Sequence, residues 1–118
     1  MSDAKRNCVF CRIVDGAKDA RVVYRGDQVT AFHDIAPQAP THIVLVPNRH
    51  IESLKATSEE DIELLGAILN RAREIAEDEG LSADGYRLVV NTGAAAGQSV
   101  PHLHLHILGG RRMKWPPG

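Results

Sequence analysis

Residues 102–107 read His-Leu-His-Leu-His-Ile, and no other stretch constrains the fold of this chain so tightly. Side chains on a strand alternate between faces, so a strand here turns three imidazoles to one side and Leu103, Leu105 and Ile107 to the other. The leucine face requires a hydrophobic core, and the imidazole face lines a polar site. Three histidines at period two are a specific pattern; the bland reading, incidental histidines on a solvated face, accounts for it poorly. Positions i and i+4 of a strand lie about 13 Å apart, and zinc holds each ligand nitrogen at about 2.0–2.1 Å. All three rings would have to lean severely inward to share a metal. A division of labour among them fits better. A neutral imidazole, with an unperturbed pKa of about 6.5, is a competent nucleophile near neutrality.

The rest of the chain supplies ordinary globular material. It has 118 residues, 43% hydrophobic and 25% charged, enough for one packed domain and not the composition of a disordered chain. The net charge of −1 argues against nucleic acid or a membrane surface as partner. The longest apolar run, residues 43–46, is too short to span a bilayer. Residues 1–7 are polar, lack the apolar segment of a secretory signal, and read as a flexible end before a domain over residues 8–118. The expected location is cytoplasmic.

Turn signals divide the domain into five β-type runs, at residues 21–25, 29–34, 42–46, 86–91 and 100–108. The first two stand at hairpin spacing around Gly26-Asp27. The third is β-branched, stopped by Pro47, and reads as buried on both faces. A long helix follows Ser58, with Asp61 completing a capping box. Ile62, Leu65, Ile68, Leu69, Ala72, Ile75 and Ala76 recur at helical spacing, and Gly80 terminates it. Residues 9–14 form one or two further helical turns. The expected class is α+β: a five-stranded, largely antiparallel sheet covered on one face, with one long and one short helix.

Two other features carry chemistry. The loop of residues 91–99 has no bulky side chain and feeds the histidine row; its N–H groups could form a nest for an anion beside Ser99. Cys8 and Cys11 sit three apart. A redox pair normally opens a helix after a strand, and no strand precedes Cys8; a zinc site needs two more ligands. Two buried reduced cysteines are the plain alternative.

Gly97-Gln98-Ser99-Val100-Pro101-His102-Leu103-His104-Leu105-His106-Ile107 resembles the signature of the histidine triad (HIT) superfamily. Residues 31–42, 44–50 and the tail ending Trp115-Pro116-Pro117-Gly118 resemble its nucleotide-binding (HINT) branch. The resemblance runs from Cys8 to the end of the chain. It implies that His104 is the nucleophile attacking the α-phosphorus, with His106, Ser99, Gly97 and Gln98 at the phosphate. It implies further that Ser99 aids proton delivery to the leaving group, that His42 supports the triad from behind, and that His102 belongs to the catalytic row. Asp34 is matched to the ribose hydroxyls, Asn91 to the ribose and leaving group. Phe10, Ile13, Phe32, His33 and Ile35 are matched to the purine pocket. Taken alone, Asp34 reads as a turn residue and Phe10, Ile13 and Phe32 as core. The resemblance also implies that His50 and His102 complete a Cys₂His₂ zinc site with Cys8 and Cys11, structural and not catalytic.

The implied activity is hydrolysis of the P–N bond of purine nucleoside 5′-phosphoramidates through a nucleotidyl-histidine, with no cofactor for catalysis. Within the superfamily the alternative is a dinucleoside polyphosphate hydrolase. Outside it stand a non-catalytic nucleotide-binding protein and a zinc-dependent hydrolase built on the histidine row. The expected partners are an AMP-type ligand and a second copy of the chain. In the resembling family that homodimer pairs the strand near residues 86–91 with its symmetry mate, extends the sheet and brings Trp115 near the partner's site.

Overall fold

In the computed structural model, residues 7–118 are described; the expected flexible end lies, apart from Asn7, outside them. The order is α1 (Val9–Val14), β1 (Val22–Arg25), β2 (Val29–His33), β3 (Thr41–Pro47), α2 (Ile62–Asp78), β4 (Tyr86–Val89) and β5 (Leu105–Gly109). The strands form one sheet in the order β1-β2-β3-β5-β4, every neighbouring pair antiparallel. The expected α+β class is the observed one.

The central strand β3 is buried on both sides. Ile43 and Leu45 join Ile107 and Leu105 beneath α2, whose Ile68, Ala72, Ile75 and Ala76 close that core. Val44 and Val46 face the other way and pack with Phe32 and Ile13. Here the expectation of a sheet covered on one face is corrected. The short helix α1 lays Val9, Phe10 and Val14 over the second face, with Ala20 beside them.

Helix α2 starts as expected. Ser58 and Asp61 form a reciprocal capping box on a 3₁₀ turn, Glu59–Asp61, that leads into it. It ends in a Schellman motif: Gly80 at φ +75° donates to the Glu77 carbonyl, and Leu81 donates to that of Ala76. Its apolar residues do not all meet the sheet. Ile62 and Leu69 are 64% and 55% exposed, because at 100° per residue they sit about 100–120° around the helix from Ile68.

The last strand is shorter than its sequence suggests. The alternation predicts it over residues 100–108, and it begins at Leu105. The Pro47 carbonyl, at the end of β3, accepts instead from the His102 ring, and the Leu103 N–H goes to the Ile51 carbonyl. The ladder therefore stops before His104, and the imidazole row is not one regular face.

Ile43 is fully buried between β3 and α2. Ile43→Ala is expected to cost about 2–5 kcal/mol, read as a lower denaturation midpoint with unchanged slope in urea.

Candidate active site

Sheet register builds the floor of the site. Phe32 lies opposite Val44, and Val44 opposite His106, so β2, β3 and β5 place these three side chains in one row on the α1 side. Helix α1 forms a wall, with the Phe10 ring 5.4 Å from Phe32 and 5.1 Å from His104 between centroids. The result is a cleft of about 300 Å³. Of the expected site residues, Phe10, Ile13, Phe32, His33, Asp34, Ile35, Ser99, His104 and His106 all line it. Ile35 stands wholly exposed on the rim. Val9, Lys18, Asp19, Ala20, Val44 and Val100 also line it, and sequence reasoning did not assign them. The alternation of β3 carried the signal for Val44; nothing local marked residues 18–20.

The three histidines divide their work. His104 Nδ1 lies 2.7 Å from the His102 carbonyl. A carbonyl only accepts, so Nδ1 carries the proton and Nε2 keeps its lone pair. His42 Nδ1 accepts from the Gln38 N–H at 3.0 Å, which puts its proton on Nε2. That proton is donated to His106 Nδ1, 2.9 Å away, leaving His106 to carry its own on Nε2. Backbone groups thus assign the tautomers: His104 offers a lone pair, His106 a donor. Asp34 adds a carboxylate, its Oδ2 3.5 Å from His42 Nε2, with Oδ1 accepting from the Ala36 N–H.

His102 turns away from the cleft. Its Nε2–H donates to the Pro47 carbonyl at 2.9 Å, so the unprotonated Nδ1 faces the cysteines. It stands 3.2 Å from Cys8 Sγ and 3.5 Å from Cys11 Sγ, and His50 Nδ1 lies 3.2 Å from Cys11 Sγ. The ligand atoms of Cys8, Cys11, His50 and His102 all lie within 4.8 Å of one another. Cys8 is the N-cap of α1, its sulfur accepting from the Cys11 N–H; the Cys-x-x-Cys spacing is a helix start.

The small-residue loop departs from expectation. The N–H groups of Ala96, Gly97 and Gln98 are spent on the carbonyls of Gly93 and Ala94, so they form no anion nest. Gly97, at φ +83°, closes the turn in the left-handed region that favours glycine. The Gln98 side chain accepts from Gly93 N–H and donates to the carbonyls of Glu52 and Val100. It braces the loop and does not line the cleft. Asn91, half-buried, lies outside the cleft lining, and His42 sits behind His106.

Burial pushes the His106 ring down to about 4, helped by the neighbouring His104 and His42. It lowers His42 as well, against the pull of Asp34, and holds His102 at about 4. As pH falls, the unfolded chain takes up these protons first. The stability that the neutral His106 ring confers is complete above 6.5 and lost between 6.5 and about 4, and His42, also lowered, adds to the loss below 6.5. NMR titration should find the His106 ring neutral at pH 6 and the His42 ring titrating below 6.5, and denaturation midpoints should fall as pH drops below 6.5. A ring of the pair titrating at or above 6.5 would contradict the arrangement.

Comparison with known proteins agrees with this geometry. The HIT domain family matches residues 15–113. An uncharacterized HIT-like protein of Synechocystis is 48% identical over 110 residues, 93% of this chain and 96% of the relative. Among solved structures, a HIT family hydrolase from Legionella pneumophila superposes with a TM-score of 0.93 at 51% identity, covering 95% of this chain and all of that one. A histidine triad nucleotide-binding protein from Candida albicans gives 0.80 at 25% identity, over 93% of this chain and 83% of that one. With its divided imidazoles, its sheet and a family match over most of its length, the chain belongs to the histidine triad (HIT) family.

Proposed function

We propose that this chain is a nucleotide hydrolase that cleaves the P–N bond of purine nucleoside 5′-phosphoramidates. The observation that carries the reading is the orientation of His104: a buried ring whose Nδ1 proton is tied to backbone, leaving the Nε2 lone pair beside a His106 N–H donor. The hydrolase named among the solved structures supports the class. In the proposed reaction, His104 Nε2 attacks the α-phosphorus and the P–N bond breaks. The leaving nitrogen takes a proton relayed from solvent through Ser99, which stands exposed at the rim. The His106 N–H stabilises the charge that develops on the phosphoryl oxygens. Water then attacks the phosphorus of the nucleotidyl-histidine, the P–Nε2 bond breaks, His104 regains its Nε2 lone pair, the water's proton returns to solvent and the nucleoside monophosphate is released. Asp34, a two-oxygen acceptor on the cleft wall, suits the two ribose hydroxyls.

The four Cys and His donors fit a structural zinc. Sulfur and nitrogen ligands on a tetrahedral zinc lie about 3.5 Å apart, close to the 3.2–3.5 Å seen here. The Pro47 carbonyl fixes the ligating tautomer of His102, as outer partners of metal-bound histidines do. The ion would pin α1 to the sheet and supply no chemistry to the reaction. Thiolate ligands need reduced cysteines, which fits the cytoplasm.

A homodimer completes the proposal. Strand β4 is an edge of the sheet, and edges left unpaired invite a second chain. Ile62, Leu69 and Val90 are exposed apolar residues, and Trp115 is 82% exposed. A second copy would cover them and bring the tail to the neighbouring site.

Three measurements test this. His104→Ala should abolish turnover of adenosine 5′-phosphoramidate, by several orders of magnitude, while AMP still binds; near-parental kcat would refute the nucleophile. Purified protein should hold about one zinc per chain, lost in Cys8→Ser together with stability but with most turnover kept; a metal-free protein with both thiols titratable would refute the site. Solution mass should be about twice the chain mass at micromolar concentration, and a stable monomer would refute the dimer.

A further inference from the structure

The far end of the cleft carries a charged pair beside a largely apolar surround, with His33 on β2 the other polar side chain there. Val9, Phe10, Ile13, Ala20, Phe32 and Val44 supply its hydrophobic lining, yet Lys18 and Asp19 also face it. Sheet topology tells which end they occupy. The floor runs from His106 on β5, past Val44 on β3, to Phe32 on β2, two strand spacings or about 10 Å. Residues 18–20 belong to the connection that enters β1, beyond β2. That connection is fixed at both ends: Ala17 and Lys18 donate to the Arg12 carbonyl, Val22 donates to that of Ala20, and the Arg21 carbonyl accepts from His33. Both side chains are exposed, and among the described residues neither forms an ion pair with another side chain.

A nucleotide with its phosphate at His104 and its ribose at Asp34 points its base along this floor. The edge of the base remote from the sugar then arrives at Lys18 and Asp19. A carboxylate offers two acceptor oxygens and no donor; an ammonium offers only donors. The outer edge of guanine presents two adjacent N–H donors and a carbonyl oxygen. It gives the carboxylate both its bonds and the ammonium an acceptor. Adenine presents one amino group beside an unprotonated ring nitrogen, which faces the carboxylate without a proton to share.

We propose that Lys18 and Asp19 are specificity residues that select a guanine nucleotide over an adenine one. The inference rests on the nucleotide reading of the cleft and is tested on the full chain by calorimetry with GMP and AMP, alongside turnover of the two nucleoside 5′-phosphoramidates. GMP should bind about tenfold more tightly than AMP, the scale of one hydrogen bond to a charged group. Asp19→Ala and Asp19→Asn should remove most of that ratio by weakening GMP, with a far smaller change for AMP, and Lys18→Ala should remove part of it. Equal affinities, an AMP preference, or a ratio indifferent to Asp19 would overturn the inference. Binding of both nucleotides without turnover would overturn the hydrolase reading and leave the base preference standing. Binding of neither would overturn both.

Discussion

His102 is the residue on which the site depends. It is fully buried, and each of its polar groups has one task. Its ring N–H closes the end of β3 at the Pro47 carbonyl. Its other ring nitrogen faces the two cysteines that start α1. Its own carbonyl accepts the His104 proton and so frees the opposite nitrogen of that ring. A buried imidazole without these partners would be costly to desolvate. With them it ties the sheet, the short helix and the His104 ring to one point.

The same logic extends through the other two rings of the site. A single backbone N–H, that of Gln38, sets the tautomer of His42 and through it that of His106. Four close imidazoles would repel if charged, and burial keeps His42 and His106 neutral. The site therefore presents one lone pair and one donor, side by side. That asymmetry comes from backbone geometry, since the side chains themselves are identical.

The fold was largely legible because its signals are periodic. The β-branched run before Pro47 is doubly buried, as a central strand must be. The capping residues Ser58 and Asp61 and the terminator Gly80 bound the long helix where their chemistry places them. Errors fell where periodicity ends and partners take over. Residues 100–104 alternate like a strand, but a ring and a loop carbonyl captured the hydrogen bonds that a strand would have used. Ile62 and Leu69 keep helical spacing, yet the sheet is too narrow an arc to receive them.

By itself the sequence determined which chemistries are present: three imidazoles at period two, two thiols at the start of a helix, and a carboxylate after a strand. It also determined the sheet's composition, because alternation and turn residues act over a few positions. Only the tertiary structure decided how those groups are shared. It gave His102 to the cysteines and His104 to the cleft, turned Gln98 into a brace, and carried Lys18 and Asp19 to the far end of a cleft whose near end lies more than eighty residues away in the chain. The reason is physical: a proton's position depends on the acceptor across from it, and that acceptor is chosen by packing, not by sequence neighbours.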